Sequence, residues 1–158
     1  MSLRDRIRDD LTTAMRSGHA ARRDALRMLW SAIYAVEKRD QVTLDDGATL
    51  SVLTRELKTR RESIDAFRAA GRDDLVVVEE AALAVVSTYV PEQLSEDETR
   101  ALVAEAISAT GATTPRDLGK VMGWLSPRTR GRADGKVVSG LVAAALAGAP
   151  DAGGGDPA

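Results

Sequence analysis

A chain of 158 residues with 44% hydrophobic content can bury one core or two small ones, and with 3% aromatics that core must be aliphatic. The net charge of −2 argues against strong non-specific binding to nucleic acid, and no apolar run reaches the roughly 18 residues of a membrane-spanning helix. Zero cysteines exclude disulfides, cysteine nucleophiles and thiolate metal sites; with an N-terminus of alternating charges in place of an apolar signal segment, they lead to the expectation of a cytoplasmic protein.

In chain order, Leu3, Ile7, Leu11 and Met15 make one stripe of an amphipathic helix that Gly18 closes, with His19 in the turn that follows. A second helix, with Asp24 near its start, carries Leu26, Leu29, Ile33 and Val36, flanked by Trp30 and Tyr34. Its first turns hold Arg22, Arg23 and Arg27, the unfavourable end for cations in the helix dipole. Lys38 to Ala48 reads as a loop, and Asp45-Asp46-Gly47 lacks the oxygen-ligand spacing of a calcium loop. A third helix from about Thr49 to Ala70 carries Leu50, Leu53, Leu57, Ile64 and Phe67, with Arg60 filling one stripe position. Its other face holds Arg55, Lys58 and Arg61, with Glu62 placed to pair with Lys58, and Gly71 ends it. A fourth, from about Arg72 to before Pro91, places Leu75, Val78, Ala82, Val86 and Tyr89 at helical spacing.

Pro91 to Leu94 reads as a hinge. Ser95 and Glu98 form a capping box for a fifth helix with Leu102, Val103, Ala106 and Ile107, ending at Gly111. Thr114-Pro115 opens a short helix with Leu118, Val121, Met122 and Leu125. Asp134 caps a last helix with Val137, Val138, Leu141, Val142 and Leu146. The pattern is all-α: an N-terminal four-helix bundle-like domain at 1–90, a small three-helix domain at 91–148, and a Gly/Pro/Ala/Asp tail at 149–158 that reads as disordered.

The short helix breaks its own local rules. Gly119 and Gly123 each cost it about 1 kcal/mol relative to alanine. Glycines four apart leave one face bare, so that another backbone can come close. Arg128, Arg130, Arg132 and Lys136 follow, and from Ala112 to Gly148 six bases face two acids, against five acids and one base from Glu92 to Glu105. A bare groove beside cations fits a polyanion; the same features also fit close helix packing and a solvated arginine loop. The candidate nucleic-acid-binding residues are Gly119, Lys120, Gly123, Arg128, Arg130, Gly131, Arg132 and Lys136, binding by phosphates and shape because stacking aromatics are scarce.

Catalytic equipment is hard to find. There is no phosphate-binding loop, dinucleotide fingerprint or nucleophile elbow, and one histidine without cysteine makes no transition-metal cluster. Adjacent acids such as Asp9-Asp10 and Glu79-Glu80 diverge by about 100° on a helix. Neither cofactor, metal nor catalytic residue is expected.

The chain resembles the YqeY-like family, also called GatB/YqeY domain proteins, over roughly residues 2 to 147. The likeness is densest at Arg60-Arg61-Glu62-Ser63 with Phe67, Ala70 to Leu75, Tyr89 to Ser95, Gly119 to Gly123 and Gly131 to Gly135. It departs at Val76-Val77-Val78 and Ser87-Thr88, where charges are usual, and at Val90, where leucine is. The resemblance implies that the C-terminal part is similar to the tail domain of the B subunit of the glutamine-dependent tRNA amidotransferase, a helical appendage that helps hold tRNA. It implies a tRNA-associated binding module, with an amidotransferase or the aminoacyl-tRNA machinery as possible partners. The alternatives are an accessory to, or member of, the carbon–nitrogen ligases with glutamine as amido donor, and a protein-interaction adaptor using the face around Trp30 and Tyr34.

Overall fold

A computed structural model describes residues 1–148 as seven α-helices and one 3-10 turn, with no strand among the described residues. The all-α expectation holds; the tail read as disordered lies outside the described residues. The chain divides into two compact units, Met1–Pro91 and a second that starts at Glu92.

The first unit holds α1 (Leu3–Ser17), α2 (Ala20–Asp40), α3 (Asp46–Ala69) and α4 (Asp73–Ser87). Ser2 accepts the Asp5 N–H at 3.0 Å to start α1, and Gly18, at φ 73°, ends it. The turn is so tight that α2 already begins at Ala20. Asp24 therefore lies inside the helix and pairs with Arg23 at 2.8 Å instead of opening it. The expected loop over 38–48 is also shorter. α2 runs on to Asp40, and the Asp45 carboxylate accepts the Ala48 N–H at 2.7 Å, which makes Asp45-Asp46-Gly47 a helix start.

The core joins Ile7, Leu11, Ala14, Leu26, Leu29, Ile33, Leu53, Leu57, Val86 and Tyr89. Met15 and Val78, both expected to face inward, are exposed instead. Met15 is 48% exposed, with Ala14 buried in its place, because a strict four-residue stripe winds about 40° around a helix per step. Val78 is 62% exposed, and Val76 points inward instead. The register of α4 is disguised because a half-buried acid, Glu79, lies on its inward side. It meets the buried Arg60 of α3 at 3.1 Å, and Arg60 also reaches Glu56 at 3.1 Å. A second buried acid, Glu37, accepts from Arg4 Nε at 2.5 Å, Arg4 Nη2 at 3.0 Å and the Leu44 N–H at 2.9 Å.

The second unit holds α5 (Glu96–Thr110), a 3-10 turn (Pro115–Asp117), α6 (Leu118–Thr129) and α7 (Gly135–Ala147). The Ser95–Glu98 capping box is formed, with bonds of 2.7 and 3.1 Å, and Gly111 ends α5 at φ 67°. Val103, Ala106, Val121, Leu125, Val138, Val142 and Leu146 make its core. Asp134 caps α7 through the Lys136 and Val137 N–H groups at 3.0 and 3.1 Å.

The start expected at Thr114-Pro115 is a 3-10 turn, and α6 does not stop at Leu125. It runs through Pro127 to Thr129, so the first part of the expected arginine loop is helix. Pro127 cannot donate to the Gly123 carbonyl, which normally costs about 3 kcal/mol. Gly123, four residues before it, is exposed, and the helix continues to Thr129.

Candidate nucleic-acid interface

Val121 and Leu125 are fully buried and turn one side of α6 into the core of its unit. On its other side, Gly119, Gly123 and Pro127 follow one another at four-residue steps, and Lys120, Trp124 and Arg128 form the adjoining stripe. A Cβ added at Gly119 or Gly123 would meet nothing within 4 Å. Both glycines are therefore open, and among the described residues no neighbouring helix packs through them.

Trp124 is half-buried, its indole resting on the second core. The guanidinium carbon of Arg128 lies 3.7 Å from the centre of its ring, and Arg128 Nη1 donates to the Trp124 carbonyl at 2.6 Å. That bond fixes the arginine over the ring. Trp124 was not among the residues singled out from sequence. Its signal was there: an aromatic four residues after one cation and four before another.

The remaining candidates occupy other places. Arg130 is the exposed residue that ends α6, and Lys136 is exposed in the first turn of α7. Gly131 is buried at φ 75°, a conformation that suits glycine, and its carbonyl accepts from Gln93 Nε2 at 2.6 Å. Arg132 Nε donates to the Glu92 carbonyl at 3.1 Å, and the Arg132 carbonyl accepts the Leu94 N–H at 2.8 Å. Gly131 and Arg132 thus hold the segment 92–94 against the turn within the second unit.

Two carboxyls of this unit are held below their ordinary range. The N–H groups of Thr113 and Thr114, at 2.8 and 3.1 Å, hold the Asp117 carboxyl below the usual carboxylate range, with Lys120 adding to the effect. The Ser95 N–H and hydroxyl do the same for Glu98, where Arg132 contributes.

In the first unit, Trp30 lies under Arg4, whose guanidinium carbon is 4.9 Å from the ring centre, while Tyr34 is 56% exposed. Arg22, at the unfavourable end of α2, meets Asp10 at 3.7 Å. Lys58 and Glu62 pair at 3.6 Å as expected. Glu79 and Glu80 go to different arginines, Arg60 and Arg68. No group of acids and histidine able to hold a metal occurs among the described residues, and none of their helices is long and apolar enough to cross a membrane.

The family model for Yqey-like protein matches residues 4–146. A protein of Pyrenophora tritici-repentis named altered inheritance of mitochondria protein 41, mitochondrial, is 33% identical over 85% of this chain and 75% of its own length. An uncharacterized protein of Schizosaccharomyces pombe is 30% identical over 56% of this chain and 72% of its own length. A protein of Eremothecium gossypii with the same name as the first is 32% identical over 52% of this chain and 46% of its own length. Two of these names place their bearers in mitochondria, which overturns the expectation of a cytoplasmic protein. The physical reason is that missing cysteines speak only against an oxidising secretory route, and do not separate the cytoplasm from the inside of an organelle.

Proposed function

The chain belongs to the YqeY-like family, and on that footing we propose that it is an RNA-binding helical module that holds folded tRNA by its phosphates along the exposed side of α6. The observation that carries the reading is the open pair Gly119 and Gly123 beside Lys120 and Arg128. Side chains at both positions would hold a ligand off the helix; their absence lets a sugar–phosphate chain reach the cations. Alanine in place of Gly123, inside the helix, would be better by about 1 kcal/mol, and no packing partner among the described residues explains either glycine. Arg130 and Lys136 extend the positive character of the unit, and the net charge of −2 keeps non-specific attraction low.

About four phosphate contacts would weaken binding by roughly 100-fold between 50 and 200 mM salt. The test is binding of folded tRNA at two salt concentrations by the full chain, Lys120→Ala and Arg130→Ala. Each variant is expected to bind several-fold more weakly and to lower the salt slope by about one. Arg132→Ala is a poor probe because Arg132 also holds Glu92. Wild-type affinity no better than that of the variants would overturn the reading.

A further inference from the structure

We propose that Trp124 and Arg128 form a stacking subsite for an unpaired nucleobase, so that the RNA gripped by this unit presents a single-stranded nucleotide to α6. The inference rests on the RNA reading above and adds the kind of RNA that the surface selects.

The platform is built before any ligand arrives. The indole is anchored on the core, the guanidinium lies on it at van der Waals distance, and the bond from Nη1 to the Trp124 carbonyl fixes the arginine. Arg128 is itself exposed, so the plane it lays over the ring is open to a further flat partner. No carboxylate pairs with it among the described residues. The first unit offers a contrast. Arg4 also lies over a tryptophan, but its guanidinium is bound to Glu37 and the pair serves the fold.

Two neighbours complete the subsite. Gly123 adjoins Trp124 and leaves room at the platform's edge for the sugar. Lys120 lies four residues, about 6 Å, before Trp124 along the helix, where a phosphate of the same nucleotide can reach it. A base stacked on arginine and aromatic planes is the usual way proteins hold single-stranded RNA. Paired bases have both faces covered inside the helix, so a duplex has nothing to place on Arg128 except its phosphates.

The experiment compares a short unstructured oligoribonucleotide with duplex RNA of the same length, at one salt concentration, using the full chain. Arg128→Lys keeps the charge and loses the plane. It is expected to weaken binding of the unpaired strand by about fivefold or more and to leave duplex binding within twofold or so. Trp124→Leu keeps apolar bulk on the core and is expected to show the same selective loss. In a Trp30→Phe background, which leaves Trp124 as the only tryptophan, the unpaired strand is expected to quench fluorescence and the duplex is not. Binding of both RNAs with equal sensitivity to Arg128→Lys, or with none, and without selective quenching, overturns the subsite and leaves the phosphate-binding reading standing. Binding of neither RNA overturns both.

Discussion

Tyr89, just beyond α4, donates its hydroxyl to Asp10 of α1 at 2.5 Å, joining residues 79 apart in the chain. Arg22 Nη2 reaches the same hydroxyl at 3.4 Å, and the Arg6 guanidinium lies 5.1 Å from the ring centre. One phenol therefore ties together three helices of the first unit. Tyr89→Phe keeps the ring and removes the bond, at an expected cost of about 1–2 kcal/mol in urea unfolding, because Asp10 retains Arg22 and some water.

The same phenol sets an alkaline limit. Burial first, and then the Asp10 carboxylate, push it up to about 12 from an ordinary 10.0. A folded value above the unfolded one means that its contribution is whole below pH 10 and disappears as pH rises toward 12. Stability of the wild type is expected to fall across that window more steeply than that of Tyr89→Phe, and ultraviolet titration should lose its late phase in the variant.

At the acid end the corresponding group is Glu37. The bonds from Arg4, followed in effect by the Leu44 N–H, hold its carboxyl below the ordinary 4.5 against the opposing effect of burial. A depressed folded value contributes stability above pH 4.5 that is lost as pH falls below it. Glu37→Ala leaves Arg4 without its buried partner and the Leu44 N–H unsatisfied, at an expected cost of about 3 kcal/mol at neutral pH. The melting temperature of Glu37→Gln should depend less on pH below 4.5 than that of the wild type.

Arg60 illustrates a pair that the fold needs whole. Arg60→Leu strands Glu56 and Glu79, both mostly buried, and is expected to cost about 3–5 kcal/mol. Adding Glu79→Leu should recover part of that loss, because it replaces one of the two stranded acids by an apolar side chain while Glu56 stays unpaired. Chemical denaturation of the two single variants and the double variant measures the coupling.

Gly123→Ala separates folding from function. Its Cβ would meet nothing, and glycine in the middle of a helix is unfavourable, so the variant is expected to be more stable by about 1 kcal/mol. Tighter folding together with weaker tRNA binding is the outcome the proposed interface requires. Thermal melts and a binding titration of one preparation report both.

The helices were legible because each carries local start and stop chemistry. Ser95 and Glu98, Asp134, and the glycines at 18 and 111 act on backbone groups a few residues away, so spacing alone reveals them. Ile7, Leu53 and Leu125 could be assigned to buried faces for the same reason. What spacing could not supply was any partner from another element. Val76 or Val78 could face inward until Arg60 drew Glu79 to the inside; Gly119 and Gly123 could be a packing seam or an open ridge until the other helices took their places; and Arg128 read as one cation of a loop until the helix passed Pro127 and set it over Trp124. Local patterning determined where helices begin, end and turn their oily sides. Burial of charge and openness of surface depend on which side chains arrive from elsewhere in the chain, and only the folded arrangement decides that.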